Sequence, residues 1–156
     1  MKLTIALCGI AQQEDGEEKM EENQKIVLEQ SNEMSNRRHI LIIDDDVNML
    51  KTLRYYLQDA YKVTVINSGK AAVDFLLKYT PDLILLDYMM PMYNGAAVLK
   101  IIKSREATKD IPVYFLTGQT DKTTVMECLS LKPAGYIVKP VAKDALLDKM
   151  AKAFAK

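Results

Sequence analysis

The chain has 156 residues, which suits one core-forming domain with an extension, and its 21 basic residues balance its 21 acidic ones. That zero net charge gives no electrostatic case for direct binding of nucleic acid or of an anionic membrane face. Its two cysteines, Cys8 and Cys128, stand far apart and outside any CxxC or Cys/His spacing, so neither a disulfide framework nor a zinc site is expected, and a reducing, cytoplasmic setting fits best.

In chain order, Lys2 and the apolar stretch Leu3 to Ala11 faintly resemble a short signal peptide, but the small-residue cleavage site is poor and no spanning segment follows. From Glu14 to Asn36 eight acids face two lysines, a balance of −6, which leaves the remainder mildly basic. Met20, Val27 and Met34 lie seven apart, yet Gln24 and Ser31 occupy the intervening seam positions, so a solvated or frayed helix is expected over a coiled coil. Met34 shortly precedes the first strand and looks like a natural start. Residues 1–38 are therefore read as an acidic extension, helical or disordered, and residues 39–156 as the folded domain.

From His39 the pattern becomes regular. Ile40 to Ile43 is an apolar run that stops at Asp44, Asp45 and Asp46. Leu50, Leu53 and Leu57 then share one face of a helix from about Val47 to Gln58. Lys62 to Ile66 reads as a short strand, followed by Asn67-Ser68-Gly69 and a helix whose face carries Val73, Leu76 and Leu77. After Pro81 the run Leu83 to Leu86 stops at Asp87, and Gly95 precedes a helix bearing Val98, Ile101 and Ile102. Val113 to Leu116 stops at Thr117; a weaker helix over Asp121 to Leu131 rests on Val125 and Leu129, with Pro133 closing it. Tyr136 to Val138 stops at Lys139, and the last helix, about Ala142 to Phe154, buries Leu147, Met150 and Phe154. Short apolar runs separated by helical patterns read as strands buried on both faces, which predicts an α/β, doubly wound, five-stranded parallel sheet with helices on both faces.

In such sheets ligands bind outside the carboxyl ends of the strands, so Asp44, Asp45, Asp87, Thr117 and Lys139 should converge. Two carboxylates about 5 Å apart at an effective dielectric near 20 repel by roughly 3 kcal/mol. The cluster must therefore take up protons, hold a hard cation or recruit Lys139. Magnesium suits a few carboxylates plus waters, and a site so equipped could accept a phosphoryl group, with Lys139 and the Thr117 hydroxyl meeting its oxygens. Asp87, standing apart from the Asp44–Asp46 run, is the expected nucleophile.

These residues resemble the receiver domain of two-component response regulators. Ile40 to Asp46 looks like that family's first strand and acidic pair, Leu85-Leu86-Asp87-Tyr88-Met89-Met90-Pro91 with Asn94-Gly95 like its phosphoacceptor strand and loop, Phe115-Leu116-Thr117-Gly118 like its hydroxyl position, and Tyr136-Ile137-Val138-Lys139-Pro140 like its switch aromatic, lysine and proline. The resemblance spans about Arg38 to Ala155 and implies a flavodoxin-like strand order of 2-1-3-4-5. It implies Mg2+ held by Asp45, Asp87 and the main-chain carbonyl of Met89, with Asp44 joining through water. It further implies an aspartyl phosphate at Asp87, a cis Lys139–Pro140 bond, and a switch in which Thr117 moves toward the phosphate and Tyr136 rotates, altering the surface of the fourth helix, fifth strand and fifth helix. The implied partners are a histidine kinase or phosphotransfer protein, a downstream protein, and a second copy of the chain if phosphorylation drives dimerisation. Because the fifth helix ends the chain, no DNA-binding or enzymatic output is expected. Phosphate lifetime in this family depends on the positions of Met89 and Gln119, and apolar Met89 suggests an intermediate to long lifetime. Gly118, where alanine is more usual, and Lys132-Pro133 depart from the family pattern.

A haloacid-dehalogenase-type phosphatase is the rival reading, with Asp44 and Asp46 as nucleophile and acid/base. Against it, Asn48 stands where Thr or Val is expected, no acidic pair follows Lys139, and Asp87 would have no role. Asp46 and Asp121 also suit the simpler role of helix N-caps.

Overall fold

The computed structural model describes residues 20–118 and 122–156. Cys8, the apolar stretch 3–11, Gln119 and Asp121 lie outside the described residues, as does the side chain of Val125. The chain divides into two compact units, Met1–Arg37 and Arg38–Lys156. In the first, residues 20–35 form a helix in which every residue is exposed, the apolar Met20, Val27 and Met34 included.

The second unit holds five strands, β1 (His39–Ile43), β2 (Lys62–Ile66), β3 (Leu83–Asp87), β4 (Val113–Thr117) and β5 (Gly135–Val138), all parallel in the order β2-β1-β3-β4-β5. Helices α1 (Val47–Leu57), α2 (Gly69–Leu76), α3 (Gly95–Ser104), α4 (Lys122–Ser130) and α5 (Lys143–Phe154) alternate with them. Successive strand residues point to opposite faces. Leu41, Ile43, Ile84, Leu86 and Phe115 therefore pack in one core with residues of α2, α3 and α4, while Ile40, Ile42, Leu85 and Leu116 pack in a second with α1 and α5. This is the doubly wound sandwich expected, in the expected strand order.

Several local expectations change. Leu77 is 60% exposed, because α2 ends at Leu76 and turns Ala72, Phe75 and Leu76 toward the core. In α4 Leu129 is 52% exposed, and among the described side chains Cys128 is the buried one. In α5 Leu146 and Met150 are buried outright, whereas Leu147 and Phe154 are only partly covered. The run Tyr136 to Val138 is not buried on both faces: β5 is an edge strand, and only Ile137 points into the core. A run of three apolar residues cannot distinguish an edge from a central strand.

Candidate functional site

Strand register carries the four stops to one edge of the sheet. Ile43 pairs with Leu86, Asp87 with Leu116 and Thr117 with Val138, so the residues that end β1, β3, β4 and β5 stand side by side. Main-chain bonds fix that edge: Asp44 N–H donates to the Ile66 carbonyl at 3.1 Å, Tyr88 N–H to Leu116 at 2.9 Å and Lys139 N–H to Thr117 at 2.8 Å. The Lys139–Pro140 peptide is cis.

Asp44 is fully buried and both its oxygens are engaged. Oδ1 accepts from Asp46 N–H at 2.9 Å and Oδ2 from Lys139 Nζ at 2.7 Å. Asp87, 4% exposed, is held more loosely, with Oδ1 at 3.4 Å from both Lys139 Nζ and the Met89 N–H. Asp45 is exposed at the rim. Asp44, Asp45 and Asp87 each offer a carboxylate oxygen, and these lie within 4.8 Å of one another, which suits a hard divalent cation. Burial pushes the Asp87 carboxyl up to about 7, helped by the neighbouring Asp44 charge and by Asp45, and opposed by Lys139. Burial by itself would lower the Lys139 ammonium, but its bonds and attraction to Asp44 and Asp87 outweigh this and raise it.

The other candidates are less tightly gathered. Thr117 is buried at the end of β4. Met89 is exposed just after Asp87. Tyr136 is 37% exposed on β5, and its carbonyl accepts from Lys149 Nζ at 2.8 Å. Asp46 does not join the site: its Oδ1 accepts from the N–H groups of Asn48, at 2.9 Å, and Met49, at 3.3 Å, capping α1. This arrangement gives no support to a dehalogenase-type phosphatase, whose expected acid/base, Asp46, serves the helix.

Sequence reasoning under-read one residue. Gly95 lies directly under the loop that follows Asp87, where a Cβ would collide with the Asp87 carbonyl oxygen and sit 2.8 Å from Tyr88 Cα. Its N–H donates to the Tyr88 carbonyl at 2.9 Å, and Asn94 caps α3 through Ala97 N–H at 2.9 Å. The signal was present as Asn94-Gly95, a helix start, but only the folded chain shows the backbone contact.

The family model for the response regulator receiver domain matches residues 40–151. The response regulator SaeR of Staphylococcus aureus is 34% identical over 110 residues, which cover 70% of this chain and 47% of SaeR. Among solved structures, the chemotaxis protein CheY4 of Vibrio cholerae is 26% identical with a TM-score of 0.70, covering 74% of this chain and 98% of CheY4. The receiver domain of the sensor histidine kinase PA1611 of Pseudomonas aeruginosa PAO1, solved with magnesium in its active-site cleft, shares the fold at 22% identity and a TM-score of 0.72, over 77% of this chain and 99% of that one. The chain spans less than half the length of the curated relatives it matches, 23% of one and 47% of SaeR. Among the described residues no helix is long and apolar enough to cross a membrane.

Proposed function

The chain belongs to the response regulator receiver domain family of two-component systems, and we propose that Asp87 is the residue on which it takes up the phosphoryl group. One observation carries this choice. Both oxygens of Asp44 are held at 2.9 Å or less, whereas the Asp87 contacts to Lys139 and Met89 are 3.4 Å long, which favours Asp87 as the buried carboxylate that reacts. An Asp87 oxygen attacks the phosphorus of a phosphohistidine on a histidine kinase or phosphotransfer protein. The new O–P bond forms as the P–N bond breaks, and the departing imidazole keeps the bonding pair and takes up a proton.

Asp45, Asp87 and the Met89 carbonyl would hold magnesium, with Asp44 acting through water; the clustered carboxylate oxygens support this. When bound, the ion offsets the negative charge of the carboxylates and of the incoming phosphoryl oxygens. Lys139 exchanges part of its contact with Asp44 and Asp87 for a phosphoryl oxygen, and the Thr117 hydroxyl donates to another. Thr117 moves toward the phosphate, Tyr136 turns inward, and the surface of α4, β5 and α5 changes shape. A groove of about 690 Å³ already lies there, with Leu129, Tyr136, Val138, Val141 and Ala145 in its walls. It offers a place for a downstream protein or, on phosphorylation, a second copy of the chain. The protein would act in the cytoplasm as a covalent switch, with no separate turnover substrate.

The test is labelling by acetyl phosphate in magnesium. Wild type should incorporate phosphate and Asp87→Ala should not; undiminished labelling of the variant would sink the assignment. The apolar Met89 beside the site gives little help in orienting an attacking water, so the label should persist well beyond seconds.

A further inference from the structure

We propose that Tyr88 and Glu127 form a tether that holds α4 in its phosphate-free position and thereby sets how tightly the site binds a phosphoryl group. This rests on the reading of Asp87 as phosphoacceptor. The Tyr88 hydroxyl donates to Glu127 Oε2 at 2.7 Å, linking the residue directly after Asp87 to the middle of α4.

The Tyr88 end of this bond is anchored to the sheet. Tyr88 cannot move far: its N–H donates to Leu116, its carbonyl accepts from Gly95 at 2.9 Å, and its ring meets Phe115 edge-on with centroids 5.4 Å apart. Glu127 is exposed on α4. Among the described side chains of α4 only Cys128 is buried, while Met126 and Leu129 are exposed. The acceptor here is a carboxylate, which makes the bond stronger than one between neutral groups.

The consequence follows from linkage. The switch proposed above reshapes the surface of α4, β5 and α5, and Glu127 lies on α4. Tyr88 stays behind, pinned by the sheet. The tether is then present in one state and stretched or broken in the other, which is the differential interaction that a population shift requires. Removing it should favour the phosphate-bound state.

The experiment measures beryllofluoride binding in magnesium by the full chain. Tyr88→Phe keeps the ring against Phe115 and loses only the hydroxyl; Glu127→Ala removes the acceptor. Each should tighten binding about tenfold, the scale of one hydrogen bond to a charged group. Glu127→Gln, which keeps an acceptor without the charge, should fall between wild type and Glu127→Ala. The double variant should bind no more tightly than either single one, because both remove the same bond. A purely structural contact would leave the affinity unchanged or weaken it on removal. Either of those results in Tyr88→Phe and Glu127→Ala, or additive effects in the double variant, would overturn the tether while leaving Asp87 in place. Failure of wild type to bind beryllofluoride at all would overturn the phosphoacceptor reading and the tether with it.

Discussion

The amino ends and the carboxyl ends of the central strands both carry charged residues, and they treat them in opposite ways. At the amino ends Asp82 accepts from the His39 N–H at 2.7 Å and lies 3.4 Å from Arg38 Nη1, with both ion-pair side chains substantially exposed. His39 Nε2 shares a hydrogen bond with Thr64 Oγ1 at 2.8 Å. The Arg38–Asp82 pair there is matched and solvent-facing. At the carboxyl ends two carboxylates are buried beside one ammonium, and Asp87 is pushed up to about 7 as a result. Folding alone gains nothing from packing like charges in a low-dielectric pocket. Accumulated, incompletely compensated charge therefore marks the end that does chemistry, and paired surface charge marks the end that only holds the strands in register.

The sharpest way to break this contrast is Lys139→Met, which leaves the wholly buried Asp44 without its 2.7 Å partner. It should cost about 3 kcal/mol of stability at pH 7 in magnesium-free urea unfolding. A loss below about 1 kcal/mol would mean that the pocket is wetter than its burial indicates.

Asp87→Asn should do the reverse. The folded Asp87 carboxyl titrates at about 7 instead of the ordinary 3.8, so folding favours its protonated form. Its contribution to stability is fully present below the unfolded value and is lost as the pH rises through the folded one. The variant should therefore match wild type near pH 4 and exceed it by about 2 kcal/mol at pH 8 without magnesium. Added magnesium should reverse the ranking by stabilising only wild type. Equal stabilities at pH 8 in a chelator would remove the charge-crowding argument.

Asp82→Ala, at the opposite end, should cost less than about 1 kcal/mol and leave acetyl phosphate labelling intact, because its ion pair is solvent-screened. The smallest effect concerns His39. Burial, then the Lys62 charge, lowers its ring, against the pull of Asp82. Its contribution is present above the ordinary 6.5 and is lost as the pH falls through the lowered folded value. His39→Gln should flatten a shallow loss of stability in that acidic window, read from thermal unfolding at a series of pH values.

Fold and candidate site were legible from the chain to different depths. The runs Ile40 to Ile43, Leu83 to Leu86 and Val113 to Leu116 lack polar residues because central parallel strands are covered on both faces, so their sequence announces their position. The polar residues that end them could be read in the same way. Helix faces were less certain: Leu77 and Leu129 fit an apolar stripe by spacing, yet α2 stops at Leu76 and α4 turns Cys128 inward. Apolar periodicity gives a direction only to within one neighbouring position, and packing against the sheet makes the selection.

What the amino-acid order decided by itself is which residues terminate strands, since that depends on local hydrophobic runs and turn chemistry. The order also made Asp46 available as a cap for the helix that follows it. What only the tertiary structure decided is how the gathered groups share their bonds: Lys139 lies 0.7 Å closer to Asp44, at 2.7 Å, than to Asp87, at 3.4 Å. Tyr88 likewise reaches Glu127 across 39 positions of sequence. Such partnerships depend on strand register and helix placement, which bring distant residues within hydrogen-bonding distance and leave no trace in the spacing of either residue's neighbours.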